Sequence, residues 1–257
     1  MGEWGTVLGR GRDFDWHGYS DDDYGKILVY DTKARKVLHG DVPVVTGSNP
    51  PDRIRWFRRS LLLDRATGML YGTESAAPHR FVRYDPKSGR FSRMQSALES
   101  SMESWTDRRN AEGAFWVFDV AGNFYKFFPD RDRVAPLGKN WARGESIENL
   151  RLSPGERYVY YIAGSGQTGS RNGFPLVQYD TRTGRKKVLA FLFDYYFEKY
   201  GYGTLCTYGF ALSQDGSSVV AYVNGTFVPS RQQVRYGRPS VFEIHIPASE
   251  RSGDERR

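Results

Sequence analysis

His79-Arg80-Phe81-Val82-Arg83-Tyr84, Asp85-Pro86-Lys87-Ser88-Gly89 and Arg90-Phe91-Ser92-Arg93-Met94 form the stretch on which the fold turns. Two β-rich runs flank a polar turn closed by glycine, which is the pattern of a hairpin. Asp85 is placed to accept hydrogen bonds from the amides that follow it. The pattern returns at Pro175-Leu176-Val177-Gln178-Tyr179, Asp180-Thr181-Arg182-Thr183-Gly184 and Arg185-Lys186-Lys187-Val188-Leu189. An earlier copy runs from Gly25 through Tyr30 and Asp31 to Leu38. The Tyr-Asp pairs at Tyr30 and Tyr84 lie 54 residues apart, and those at Tyr84 and Tyr179 lie 95 apart, close to two such intervals. A divergent hairpin from Asn123 to Leu137 fills the gap, and a late strand from Ser240 to Ile246 adds another repeat.

A second set of hairpins precedes the first. Ser60 to Gly72 turns at Asp64-Arg65-Ala66-Thr67-Gly68, Asn149 to Ile162 turns at Ser153-Pro154-Gly155-Glu156, and Tyr208 to Val223 turns at Ser213-Gln214-Asp215-Gly216. The recurring unit is therefore two hairpins in series, strands A-B and C-D, and a period of about 50 residues accommodates four strands and their turns. The expected fold is all-β, a β-propeller of about five four-stranded blades or an incomplete segment of a larger propeller. Residues 1–23 read as an irregular or closing N-terminal segment, 24–246 as the blades and 247–257 as a polar tail. A five-bladed ring would close if Trp4-Gly5-Thr6-Val7-Leu8 joined the last sheet as its fourth strand, because closure removes exposed sheet edges. A fragment explains the missing half blade equally well.

The Tyr-Asp-Pro-Lys-Ser-Gly-Arg segment from Tyr84 and the Tyr-Asp-Thr-Arg-Thr-Gly-Arg segment from Tyr179 resemble bacterial β-propeller repeat proteins of the gluconolactonase-like, seven-bladed lactonase-like and quinoprotein-like kinds. Leu-Ser-Pro-Gly-Glu from Leu152 and Leu-Ser-Gln-Asp-Gly from Leu212 carry the same resemblance, which covers roughly residues 24 to 246. The resemblance implies a way of building a blade and no catalytic residue, because propellers host unrelated activities. It also favours an extracellular or periplasmic setting, although no signal peptide follows Met1 in this sequence.

Composition agrees with strands and turns. Aromatic residues make up 15% of the 257, with 28 glycines and no long alanine or leucine run. The net charge of +7 comes from 37 basic against 30 acidic residues that alternate along the chain, the pattern of solvated strands rather than of a nucleic-acid footprint. Nucleic acid is therefore not an expected partner. No apolar stretch approaches a bilayer's thickness, so no membrane insertion is expected. Cys206 is the sole cysteine, which excludes an internal disulfide, and beside Leu205 it reads as a small buried side chain.

Two features bear on function. The acidic run around His17, from Asp13 to Asp23, offers hard oxygen ligands for calcium or, with the imidazole, part of a transition-metal site, but it lacks a recognised ligand register and an acidic loop needs no ion. Gly164-Ser165-Gly166 lacks the lysine and helix of a P-loop and reads as a B-C loop. The D-A and B-C connections share one face of a propeller, and those at 39–57, 95–112, 138–147, 163–174, 193–207 and 224–239 look longer than the turns of the opposite face. That asymmetry assigns function to the loop-rich face. Arg55 and Arg151 are the expected anion contacts there, with Trp141 and Tyr208 supplying aromatic contacts. The first functional reading is a binding or interaction module for a small polar molecule, a glycan or a protein. The alternative is a propeller-type hydrolase or lyase, with Glu74 as base, His79 as proton-transfer group and Arg151 facing developing negative charge.

Overall fold

The computed structural model describes residues 4–9, 26–56, 60–140, 150–164 and 172–254. They form five antiparallel meanders whose strands are adjacent in chain order. The first contains β1 (Trp4–Gly9), β2 (Lys26–Asp31) and β3 (Lys36–Asp41). The second contains β4 (Leu62–Leu63), β5 (Leu70–Thr73), β6 (Arg80–Asp85) and β7 (Arg90–Ala97). The third contains β8 (Met102–Trp105), β9 (Phe115–Asp119), β10 (Asn123–Phe128) and β11 (Arg133–Lys139). The fourth contains β12 (Leu150–Leu152), β13 (Tyr158–Ile162), β14 (Pro175–Asp180) and β15 (Lys186–Phe191). The last contains β16 (Tyr202–Leu212), β17 (Ser218–Phe227) and β18 (Arg238–His245).

The C-D turns form for the reason their aspartates predict. Asp31 Oδ1 accepts the amides of Lys33 and Ala34 at 2.9 and 3.0 Å. Asp85 Oδ1 accepts Lys87 N at 2.9 Å, and Asp180 Oδ1 accepts Arg182 N and Thr183 N at 2.8 and 3.1 Å. Each carboxylate thus satisfies amides that the ladder cannot reach, fixing the turn locally.

The chain divides into two compact units, one of residues 1–102 with 131–134 and one of residues 103–130 with 135–257. In the first unit the facing sides of the first two sheets bury Ile27, Val29, Trp56, Val82, Tyr84 and Phe91. In the second unit the third and fourth sheets enclose Trp116, Phe118, Phe124, Leu150, Tyr161 and Tyr179. The fourth and fifth enclose Tyr160, Phe174, Leu176, Phe210, Val219 and Phe242. Such sheets cannot shield two apolar faces alone, so burial between neighbours is the main stabilising term.

Three expectations are corrected. Trp4–Gly9 does not complete the last sheet; it pairs antiparallel with β2, Trp4 opposite Asp31 and Gly9 opposite Lys26. The connection expected at 95–112 contains the end of β7 and all of β8. That expected at 193–207 contains α1 (Leu192–Tyr200) and the start of β16. Leu192, Phe193, Tyr196 and Phe197 recur at helical spacing and pack on the core of the fourth and fifth sheets, with the Tyr196 ring stacked 3.6 Å from Phe242. Gly201, at φ 65°, stops the helix and donates its amide to Phe197 O, a left-handed cap that glycine adopts without strain.

Residues 247–254 lie against the fourth and fifth sheets. Asp254 Oδ1 accepts Ser153 Oγ at 2.6 Å and Arg157 N at 3.0 Å, Ser252 O accepts the Tyr158 hydroxyl, and Glu250 O accepts Gln178 Nε2 at 2.7 Å. Among the described residues no helix is long and apolar enough to cross a membrane.

Candidate functional site

The A-B connection of the third sheet, residues 106–114, is anchored by Thr106, whose hydroxyl donates to Arg108 O at 3.0 Å and accepts Trp116 N at 3.1 Å. This loop projects Arg108 onto the A-B turn of the fourth sheet. Arg108 Nη1 donates to Leu152 O at 3.2 Å and Nη2 to Ser153 O at 2.6 Å. Ala111 N donates to Glu156 Oε2 at 2.7 Å, a second tie to the same turn. On the other side β12 packs beside β16, and Pro154 lies close enough to Gly216 that a Cβ there would stand 3.1 Å from its Cδ.

Between these turns lies a cleft of about 350 Å³, lined by Asp107 and Arg108 from the third sheet, Arg151, Leu152 and Pro154 from the fourth, and Leu212, Ser213 and Gln214 from the fifth. It sits on the side of the short turns, opposite the face to which the connection lengths point. β8 and α1 occupy two of the apparent long loops and the A-B loop of the third sheet is longer than a tight turn, but the β3–β4, β11–β12, β13–β14 and β17–β18 connections remain longer than most turns on the cleft's side.

Arg151 stands in this cleft for a reason of strand register. Leu150 and Leu152 on either side of it are buried in the core with the third sheet, so alternation turns Arg151 to the other face of β12. It is partly buried, and its Nη1 donates to Leu150 O at 2.8 Å. Burial holds its guanidinium below the ordinary arginine range, and the negative charge of Asp107 pulls the other way. Asp107 itself pairs with Arg108 at 3.9 Å.

The other sequence-derived candidates stand elsewhere. Glu74 and His79 are neighbours in the first unit: His79 Nδ1 lies 3.1 Å from Glu74 O, and Ser101 Oγ donates to the same oxygen at 3.1 Å. The Glu74 carboxylate accepts Arg93 Nε at 2.9 Å, while Arg93 Nη1 pairs with Asp52. Two carboxylates sharing one guanidinium make a brace across the sheet. Arg55 belongs to the same unit, its carbonyl accepting Ser75 N at 2.7 Å. Tyr208 lies on β16, 55% exposed, with its ring 6.3 Å from that of Tyr222. Cys206 is buried on the same strand. Trp141, the His17 segment and Ser165 and Gly166 lie outside the described residues. Among the described residues no group of three His, Cys, Asp or Glu side chains is set to hold a metal.

No protein-family profile matches the sequence, and no curated protein matches it. Among solved structures, Saccharomyces cerevisiae Sqt1 aligns over 87% of this chain and 54% of its own, with 13% identity and a TM-score of 0.50. The β-propeller domain of Myceliophteria thermophila Cps50 (Swd1) aligns over 65% of this chain and 49% of its own, with 8% identity and a TM-score of 0.45. The chain thus spans about half the length of these solved chains. Its repeated antiparallel meanders define an all-β chain of the β-propeller class, consistent with an incomplete propeller.

Proposed function

We propose that this chain is a β-propeller interaction module that holds a segment of a protein partner in the cleft between the A-B turns of its third, fourth and fifth sheets. The observation that carries the reading is the partly buried Arg151 in an open cleft of about 350 Å³ with mixed polar and apolar walls, a combination suited to recognition. The walls come from packed sheets and from turns tied together by Arg108 and Glu156, so little ordering is left to be done on binding. Arg151 is the anion contact. Arg55, Tyr208, Glu74 and His79 do not line the cleft and have no role in it. The lactonase-like resemblance supports the blade and adds no chemistry, since Glu74, the candidate base, is engaged by Arg93.

Selection of displayed peptides on the folded chain tests this reading. Selected peptides should lose binding to Gln214→Trp, which fills the cleft from an exposed position, and should compete with one another. A parallel screen of sugars and acidic metabolites separates a small-ligand site from a peptide site. Peptides indifferent to Gln214→Trp would place recognition elsewhere.

A further inference from the structure

The cleft's donors and walls allow a narrower statement, which rests on its being the binding site. Arg108 contributes charge, but its guanidinium is committed to the Leu152 and Ser153 carbonyls. The Ser213 hydroxyl donates to Asp215 at 2.8 Å and accepts Ser218 N at 2.9 Å. Arg151 differs. Among the described residues it makes no ion pair, and its hydrogen bond to Leu150 O uses one of five N–H groups. A partly buried guanidinium with donors to spare suits an anion that accepts side by side. The lining carries two arginines and one aspartate, so a singly charged group fits better than a doubly charged phosphate, which Asp107 would repel. Pro154 and Leu212 supply apolar wall for the carbon chain bearing the charge, while the Leu152 side chain is buried in the core.

We propose that the cleft takes a carboxylate, gripped by the Arg151 guanidinium, with its methylene stem against Pro154 and Leu212. An aspartate or glutamate of a partner segment and a small free carboxylate share this chemistry. Binding would also offset the burial that depresses the Arg151 guanidinium.

The test is calorimetric titration of the full chain with two probes and their neutral isosteres: N-acetyl-glutamate amide against N-acetyl-glutamine amide, and the peptide acetyl-Ala-Glu-Ala-amide against its glutamine version. Loss of a charge-assisted contact weakens binding by about tenfold or more, so each glutamate probe should bind at least about tenfold tighter than its isostere. Arg151→Gln should abolish that preference, and Arg151→Lys, which keeps charge but not the fork, should retain part of it. Asp107→Asn should strengthen glutamate binding. A peptide binding more tightly than the capped amino acid identifies a partner segment as the source, and equal binding identifies a small carboxylate; both support the carboxylate. Equal binding of glutamate and glutamine probes, or tighter binding of a phosphoserine peptide, overturns it. Selected peptides that lose binding to Gln214→Trp but not to Arg151→Gln leave the cleft as the interaction site and remove the carboxylate. Selected peptides that ignore Gln214→Trp remove both.

Discussion

Replacing Asp254 by alanine tests whether the C-terminal segment is part of the folded second unit. One carboxylate oxygen accepts Ser153 Oγ at 2.6 Å and Arg157 N at 3.0 Å. Ser153 is fully buried, and its hydroxyl in turn accepts Tyr158 N at 2.9 Å, so the chain of bonds reaches the start of β13. A hydrogen bond to a charged group contributes about 1.5–3 kcal/mol net. Asp254 is partly exposed, and water replaces some of the loss, so the two bonds together are worth about 2 kcal/mol. That corresponds to a fall of about 4–8 °C in the melting temperature. Urea unfolding followed by fluorescence, with thermal melts alongside, measures both. Asp254→Asn keeps an acceptor and loses the charge, so it should cost less than half as much. In a cycle with Ser153→Ala the two changes should be strongly non-additive. If Asp254→Ala stays within about 0.5 kcal/mol of the parent, the range of ordinary surface changes, the tail is not an anchor and the reasoning fails.

Packing and titration give three more expectations. Phe124 is fully buried, stacked 4.2 Å from Phe118 and edge-on 4.9 Å from Tyr179, so Phe124→Ala should cost about 3–5 kcal/mol in urea unfolding, and a loss below about 1 kcal/mol would contradict the packing between the third and fourth sheets. A Cβ on Gly72 would stand 2.3 Å from the Trp56 ring and 2.6 Å from Ser60 O, whereas Gly68, at φ +79°, faces open space. Gly72→Ala should therefore cost about 3 kcal/mol through overpacking and Gly68→Ala about 1 kcal/mol through backbone strain alone; the reverse order in the same assay would refute the contact. Burial raises the Tyr160 hydroxyl from 10.0 to about 12, with Gln178 acting in the opposite direction. A raised value means that the contribution is complete below pH 10 and disappears as pH climbs through about 12. Spectrophotometric titration should show a phenol ionising late that Tyr160→Phe removes, and an unchanged titration curve in that variant would count against the assignment.

The hairpins were legible because their causes are local. Asp31, Asp85 and Asp180 each close a turn through amides two or three residues away, and period-two alternation marks which side chains face a neighbouring sheet. Arg151 was expected as an anion contact on the loop-rich face, whereas register on the short strand β12 places it at the A-B turns. A signal for α1 was also present, in the spacing of Leu192, Phe193, Tyr196 and Phe197 ahead of Gly201, but the aromatic richness of the segment pointed equally to a loop. β8 was harder to find, since Met102-Glu103-Ser104-Trp105 is four residues long and is held as a strand by its neighbours in the sheet.

The sequence by itself determined the repeating two-hairpin unit, its turns and the all-β class, since each follows from side chains acting on backbone a few residues away. Only the tertiary structure decided that Trp4–Gly9 pairs with β2, that the polar tail docks on Ser153 and Arg157, and that Arg151 meets Asp107, Leu212 and Gln214 in one cleft. Those outcomes depend on which sheet edges and faces come together across about 20 to 100 residues of chain, a choice set by competing burial and hydrogen bonding that no short stretch of sequence encodes.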